Sequence, residues 1–220
     1  KLVFTPVTSI SKSGFVNSLQ GIIENKNYEA KNTTDYKNDN TINELTSVIG
    51  FKSSLPMKKQ GLKFSKVFSP NFMIRYAPLH MRNLSQDDAK LNYSNLYSLN
   101  KTSEIESGLS AILGYEFKIN EKDQNGNDRE KLSLSMGQVF NRKENDDMPS
   151  NSSLDQKTSD VVGGFNYNFS EIGNIAYKFN LDHNFNTINY NEISTTLNVG
   201  KIDFNLDYLE QRNHIGTEHY

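Results

Sequence analysis

The side chains best able to do chemistry in this chain are four histidines and two acidic clusters, and neither set has a catalytic or ligating spacing. His80, His183, His214 and His219 are scattered, with no metal-ligand interval between them. His183 falls in an apolar phase near the end of a candidate strand, where an amphipathic ring suits a membrane interface. The run DQNGND, residues 123–128, offers oxygen ligands. Its Gly126 is fourth rather than sixth, and no glutamate follows at the twelfth position, so it reads as a polar turn around Asn-Gly. ENDDMP, residues 144–149, clusters acids without a base partner and reads as a solvated loop tip with at most loose affinity for divalent cations. With no cysteine there is no thiolate nucleophile, disulfide or Cys-based zinc site. No nucleophile, base and orienting group stand together. The expectation is a protein that is not an enzyme and has no cofactor or metal. A net charge of -2 without a basic stripe also leaves nothing to neutralise phosphates, so no nucleic-acid partner is expected.

The elements that would position these residues announce themselves by period two, which in a strand sends alternate side chains to opposite faces. Ile175, Tyr177, Phe179, Leu181, His183 and Phe185 alternate with Ala176, Lys178, Asn180, Asp182 and Asn184. Leu109, Ala111, Leu113, Tyr115, Phe117 and Ile119 alternate with Gly108, Ser110, Gly114, Glu116 and Lys118, and only Ile112 breaks the wet row. Near the C-terminus, a two-residue turn at Gly200-Lys201 would pair Val199 with Ile202 and put Asp203, Asn205 and Asp207 on one wet face.

The pattern predicts about ten strands, near 1–9, 15–27, 42–55, 62–77, 107–119, 130–143, 159–169, 174–187, 192–200 and 201–213. Connections at 10–14, 56–61, 170–173 and 200–201 are short. Those at 28–41, 78–106 and 144–158 are long and polar. Short turns on one rim and long loops on the other, with strands of about ten residues, are the plan of an antiparallel up-and-down transmembrane β-barrel. No apolar run is long enough for a transmembrane helix, and the opening KLVFTPVTSI reads as internal to a longer chain. On this reading residues 1–220 are part of a barrel domain, the long loops are extracellular, and Lys178, Asn180, Asp182, Asn184, Asp203, Asn205 and Asp207 face the lumen. A porin or adhesin translocator would share the strand pattern. A soluble β-sandwich would also alternate, with its apolar face turned inward.

The stretch LNYSNLYSLNKTSEIESGL, residues 91–109, fits neither period. As a loop, its Leu91, Tyr93, Leu96, Tyr97 and Leu99 would pack on the barrel mouth or in the lumen, with Asn92, Asn95 and Asn100 satisfying backbone groups, and its rings could border an amphiphile's path.

Three strings, FSPNFMIRYAP (68–78), LNYSNLYSLNKTSEIESGLSAILGYEF (91–117) and SLSMGQVFNRKENDDMPSNSSLDQKTSDVVGGFNYNF (133–169), resemble the barrel domain of the LPS-assembly outer-membrane family, LptD or organic solvent tolerance. The family pattern is an apolar-Pro strand end, an acidic loop, an Asn-Leu-Phe/Tyr core and a Glu-x-Gly strand opening. Here these correspond to Asn95-Leu96-Tyr97 and Glu106-Ser107-Gly108. Where the family often carries Arg, Gly and Asp after the core, this chain has Lys101, Thr102, Ser103, Glu104, Ile105 and Glu106. The resemblance implies a barrel in the outer membrane of a Gram-negative bacterium that delivers lipopolysaccharide to the outer leaflet. It further implies a lipoprotein plug resembling LptE and a periplasmic LPS bridge joined through a domain absent here, with outer-membrane lipid around the wall.

Overall fold

Alternation needs only a neighbour to become a sheet, and nearly every predicted strand pairs with the next in sequence. The computed structural model describes residues 1–29, 42–78, 80–87, 89–102, 104–123, 126–169, 172–212 and 218–219. The strands are β1 (Leu2–Ile10), β2 (Val16–Tyr28), β3 (Ile42–Ser54), β4 (Met57–Gln60), β5 (Phe64–Ala77) and β6 (Gly108–Lys122). They continue as β7 (Asp128–Asn141), β8 (Val161–Asn168), β9 (Gly173–Leu181), β10 (Ile188–Val199), β11 (Ile202–Gln211) and β12 (Glu218–His219). All lie in one antiparallel sheet of order β1-β2-β3-β5-β6-β7-β8-β9-β10-β11-β12, with β4 against β5. Among the described residues the sheet is open, β1 and β12 forming its ends.

Among the described residues twelve strands replace the predicted ten, and Pro56 explains one of the two additions. Having no N–H, it interrupts the ladder. The Leu55 N–H still donates to Pro70 O at 3.1 Å, and the chain resumes on β5 with Met57 opposite Phe68. The predicted 56–61 turn is therefore mostly strand, and the reversal lies at Gly61–Lys63. The other addition, β12, extends the pairing of β11. The predicted 174–187 strand stops at Leu181, where the Asp182 N–H turns to Thr187 O at 2.8 Å. At the β10–β11 hairpin Val199 does pair with Ile202, across Gly200 at φ +67°, a left-handed conformation that glycine adopts without strain.

Side chains segregate by face as the pleat requires. The outer face carries Leu19, Ile23, Ile49, Phe51, Phe68, Ile74, Tyr76, Leu113, Phe204 and Leu206, all exposed, Leu113 by 50% and Leu206 by 69%. The opposite face carries rows such as Gly50–Arg75–Ser110–Asn141 and Lys52–Met73–Ile112–Val139. A soluble sandwich would bury its large apolar side chains between sheets. This sheet exposes them, and among the described residues the buried core lies on the other face, beneath the β5–β6 and β7–β8 loops.

Candidate functional site

The loop that joins β5 to β6 folds back over the polar face instead of extending from the rim. Leu91 and Leu96 are fully buried and Leu99 nearly so, in a cluster with Met73, Ile112, Val139 and Val162 from the wall. Ile112, the one apolar residue in its wet row, is thus the floor on which the loop sits. Small wall residues make the seat: a Cβ on Gly137 would lie 2.4 Å from Leu96 Cδ2, and one on Gly114 would lie 2.4 Å from the Tyr97 hydroxyl. Tyr93 and Tyr97 meet edge to face, 6.1 Å between centroids, and the Tyr93 hydroxyl donates to Glu116 Oε1 at 3.1 Å. Burial and the nearby Glu116 carboxylate push both phenols well above the ordinary tyrosine range, so both are neutral.

Asparagines satisfy the loop's own backbone. Asn95 donates to Lys90 O (2.8 Å) and Lys101 O (3.1 Å) and accepts from the Asn92 N–H (2.8 Å). Asn92 Oδ1 accepts the Asn95 N–H at 3.1 Å, and Asn100 donates to Thr102 O at 3.4 Å. The wall reaches in as well, with Asn180 of β9 donating to Leu91 O at 2.7 Å.

A buried ionic latch closes the base of the loop. Arg75 of β5 pairs with Glu106 Oε2 at 2.8 Å and also donates to Leu99 O and, at 2.6 Å, to Glu106 O. Glu106 Oε1 accepts the backbone N–H groups of Lys101 and Thr102. Lys101 is buried beside them. Burial lowers its ammonium to about 8, against a partial upward pull from Glu106 and a further downward push from Arg75. Nearer the rim, Arg82 bridges Glu44 (3.0 Å) and Glu104 (3.3 Å), and Glu104 also pairs with Lys26 of β2.

The β7–β8 loop supports this lid. The Leu84 N–H donates to Asp147 O at 2.7 Å, and Met148 and Leu154 are buried in the same core. In the 144–149 segment Glu144 and Asp146 are exposed, as a solvated tip predicts, while Met148 and Pro149 anchor its end inward. In the predicted 123–128 turn, of which 124 and 125 lie outside the described residues, Asp123 Oδ1 accepts the Asn127 N–H at 2.8 Å and Gly126 has φ +83°.

Lys178 and Asn180 share the loop-covered face, Lys178 paired with Glu192 at 2.8 Å. Asp203, Asn205 and Asp207 lie by register on that face of β11, with Asn205 accepting from the Thr196 hydroxyl at 3.0 Å. Asp182, Asn184 and His183 fall in the β9–β10 turn, since the strand ends before them and its phase no longer applies. Between the loop tip and β7–β10 lies a cavity of about 430 Å³ lined by Lys90, Asn92, Tyr93, Lys178, Asn180 and Glu192, among others. Sequence reasoning missed Arg75, although its place between the outward Ile74 and Tyr76 marks it as an inward charge. It also missed the pairing that gives Glu106 its partner, which no spacing reveals.

The family model for LPS transport system D, LptD, matches residues 8–218. The chain belongs to the LptD family. No curated protein matches it. LptD proteins are outer-membrane β-barrel proteins of lipopolysaccharide transport rather than a family of enzymes. The open sheet is accordingly a stretch of LptD barrel wall, and its exposed apolar face is the one a bilayer covers. The Asn95-Leu96-Tyr97 and Glu106-Ser107-Gly108 strings of this LptD chain coincide with the backbone staple and the latch of the loop.

Proposed function

We propose that this wall and its inward-folded loop form part of the passage by which a barrel translocon in the outer membrane of a Gram-negative bacterium inserts lipopolysaccharide into the outer leaflet. The β5–β6 and β7–β8 loops enter from the cell exterior, the predicted 28–41 loop lying almost wholly outside the described residues, and Lys178, Asn180, Asp203, Asn205 and Asp207 face the lumen. The observation that carries the proposal is the cavity between Tyr93 and the Lys178–Asn180–Glu192 wall. It puts an aromatic ring beside charged and amide groups, which suits the boundary between acyl chains and sugars. A lipoprotein plug and a periplasmic bridge, attached through a domain outside this chain, would complete the path.

The test replaces Tyr93 and Tyr97 by alanine in the intact protein and compares surface lipopolysaccharide with the amount of folded barrel. Export should fall while folded barrel stays constant, and a photo-crosslinker at position 93 should capture lipopolysaccharide. Equal loss of both quantities, without crosslinks, would reduce the loop to packing.

A further inference from the structure

Asp160 precedes β8 at the foot of the 144–158 loop, and Asp182 and His183 sit in the β9–β10 turn. One ligand atom from each lies within 4.8 Å of the other two. Asp160 is buried, 5% exposed. His183 Nδ1 is shielded from solvent and without a hydrogen-bond partner, although Asp182 Oδ1 is only 3.3 Å away. Two carboxylates and an imidazole nitrogen thus converge, and no lysine or arginine pairs with any of them among the described contacts.

Each of the three is held from behind by an asparagine. Asn189 Nδ2 donates to Asp160 Oδ2 at 2.8 Å, and the Asn184 N–H donates to Asp182 Oδ2 at 3.1 Å. The Asn184 side-chain amide lies 3.1 Å from His183 Nε2. The amide atom facing the ring is Nδ2; with the amide flipped so that Oδ1 takes its place, Nε2–H donates to it and the Nδ1 lone pair is left for a metal. The asparagines orient the three side chains, whose ligand atoms stay within 4.8 Å of one another, a spacing that one bound cation would satisfy.

We propose that Asp160, Asp182 and His183 bind one divalent transition-metal ion of the zinc class. An imidazole nitrogen beside two carboxylates is a borderline donor set that suits Zn²⁺ better than the all-oxygen preference of Ca²⁺ or Mg²⁺. The ion ties the foot of the β7–β8 loop to the next turn on the same rim, and so braces the support beneath the lid.

The experiment titrates the intact, detergent-solubilised protein, stripped with chelator, with Zn²⁺ by calorimetry and with Co²⁺ as an optical probe. One equivalent should bind. His183→Gln, in a partly exposed turn where folding is little at risk, should weaken Zn²⁺ binding by more than about 100-fold. Asn184→Ala should weaken it by about 10-fold, as outer partners of metal ligands do. Asp160→Asn should behave like the histidine variant, and if it does not fold, His183→Gln decides. Unchanged affinity in His183→Gln, a preference for Ca²⁺ over Zn²⁺, or no binding at all would overturn the proposal.

Discussion

Glu106→Gln should open the β5–β6 loop while leaving the sheet paired. Glu106 holds the loop in two ways: Oε2 neutralises the buried Arg75, and Oε1 accepts two backbone N–H groups. Glutamine keeps an acceptor for the N–H groups and removes only the charge. Arg75, its side chain 3% exposed, is then left as a buried guanidinium with carbonyl partners alone. Removing one partner of a buried ion pair costs about 3–5 kcal/mol. At about 1.4 kcal/mol per decade, the open population of the loop should rise roughly 100- to 4,000-fold.

Amide hydrogen exchange of the intact protein in nanodiscs, read by mass spectrometry over 89–102 and 104–107, measures this directly. Peptides from β6 and β7 serve as the internal standard. Arg75→Met with Glu106→Gln removes both latch charges and should return exchange part of the way to the parent rate, because the stranded guanidinium is gone while the buried Lys101 loses both the upward pull of Glu106 and the downward push of Arg75. If the single variant exchanges within threefold of the parent, or the double variant exchanges faster than the single, the latch is not what holds the loop.

Further outcomes follow from the same geometry. Gly137→Ala should expose the loop to protease, at a cost of about 1–3 kcal/mol, because its Cβ meets the Leu113 carbonyl at 2.8 Å as well as Leu96. Gly50→Ala should be milder, since the atoms in its way are the flexible ends of Leu99 and Met73. Docked Lys101 releases its proton near 8, while an open loop holds it to the ordinary 10.5. Loop protection should therefore rise as pH climbs from about 8 towards 10.5, by on the order of 3 kcal/mol in total, and Lys101→Met should abolish that rise in exchange corrected for intrinsic rate. Leu113→Lys should lower the folded fraction on semi-native gels by about 2–4 kcal/mol equivalent, as a cation on the lipid face does, whereas Ser135→Lys on the opposite face should be tolerated.

Much of the wall was legible because a strand's faces are a local property. Two residues of period decide which side chain points where, and Gly200-Lys201 sets a register with no help from the rest of the chain. Strand ends were less legible. Pro56 halts a ladder that resumes one residue later, and the alternation through Phe185 outlasts the pairing that ends at Leu181. The loop's apolar residues could be named from sequence, but the latch could not. Arg75 and Glu106 are 31 positions apart and meet only because the whole loop folds back between them. His183 illustrates the same limit, since its neighbour Asp160 comes from a different loop.

The two layers of this structure are stabilised by different things, and that separation bears on transport. The strands are held by backbone ladders whose alternative, in lipid, is unsatisfied N–H and C=O groups, so the wall cannot open locally at low cost. The lid has no such constraint. It is held by one apolar cluster, the Asn95 staple and the Arg75–Glu106 latch, facing a space that water can enter. A few kcal/mol can therefore move the lid while the wall stays closed to the bilayer. A passage for an amphiphile needs that asymmetry: a wall that keeps lipid out and an inner element light enough to yield. The buried Lys101 beside the latch lowers the lid's stability further at neutral pH, which places the loop nearer its opening threshold than its apolar core alone would.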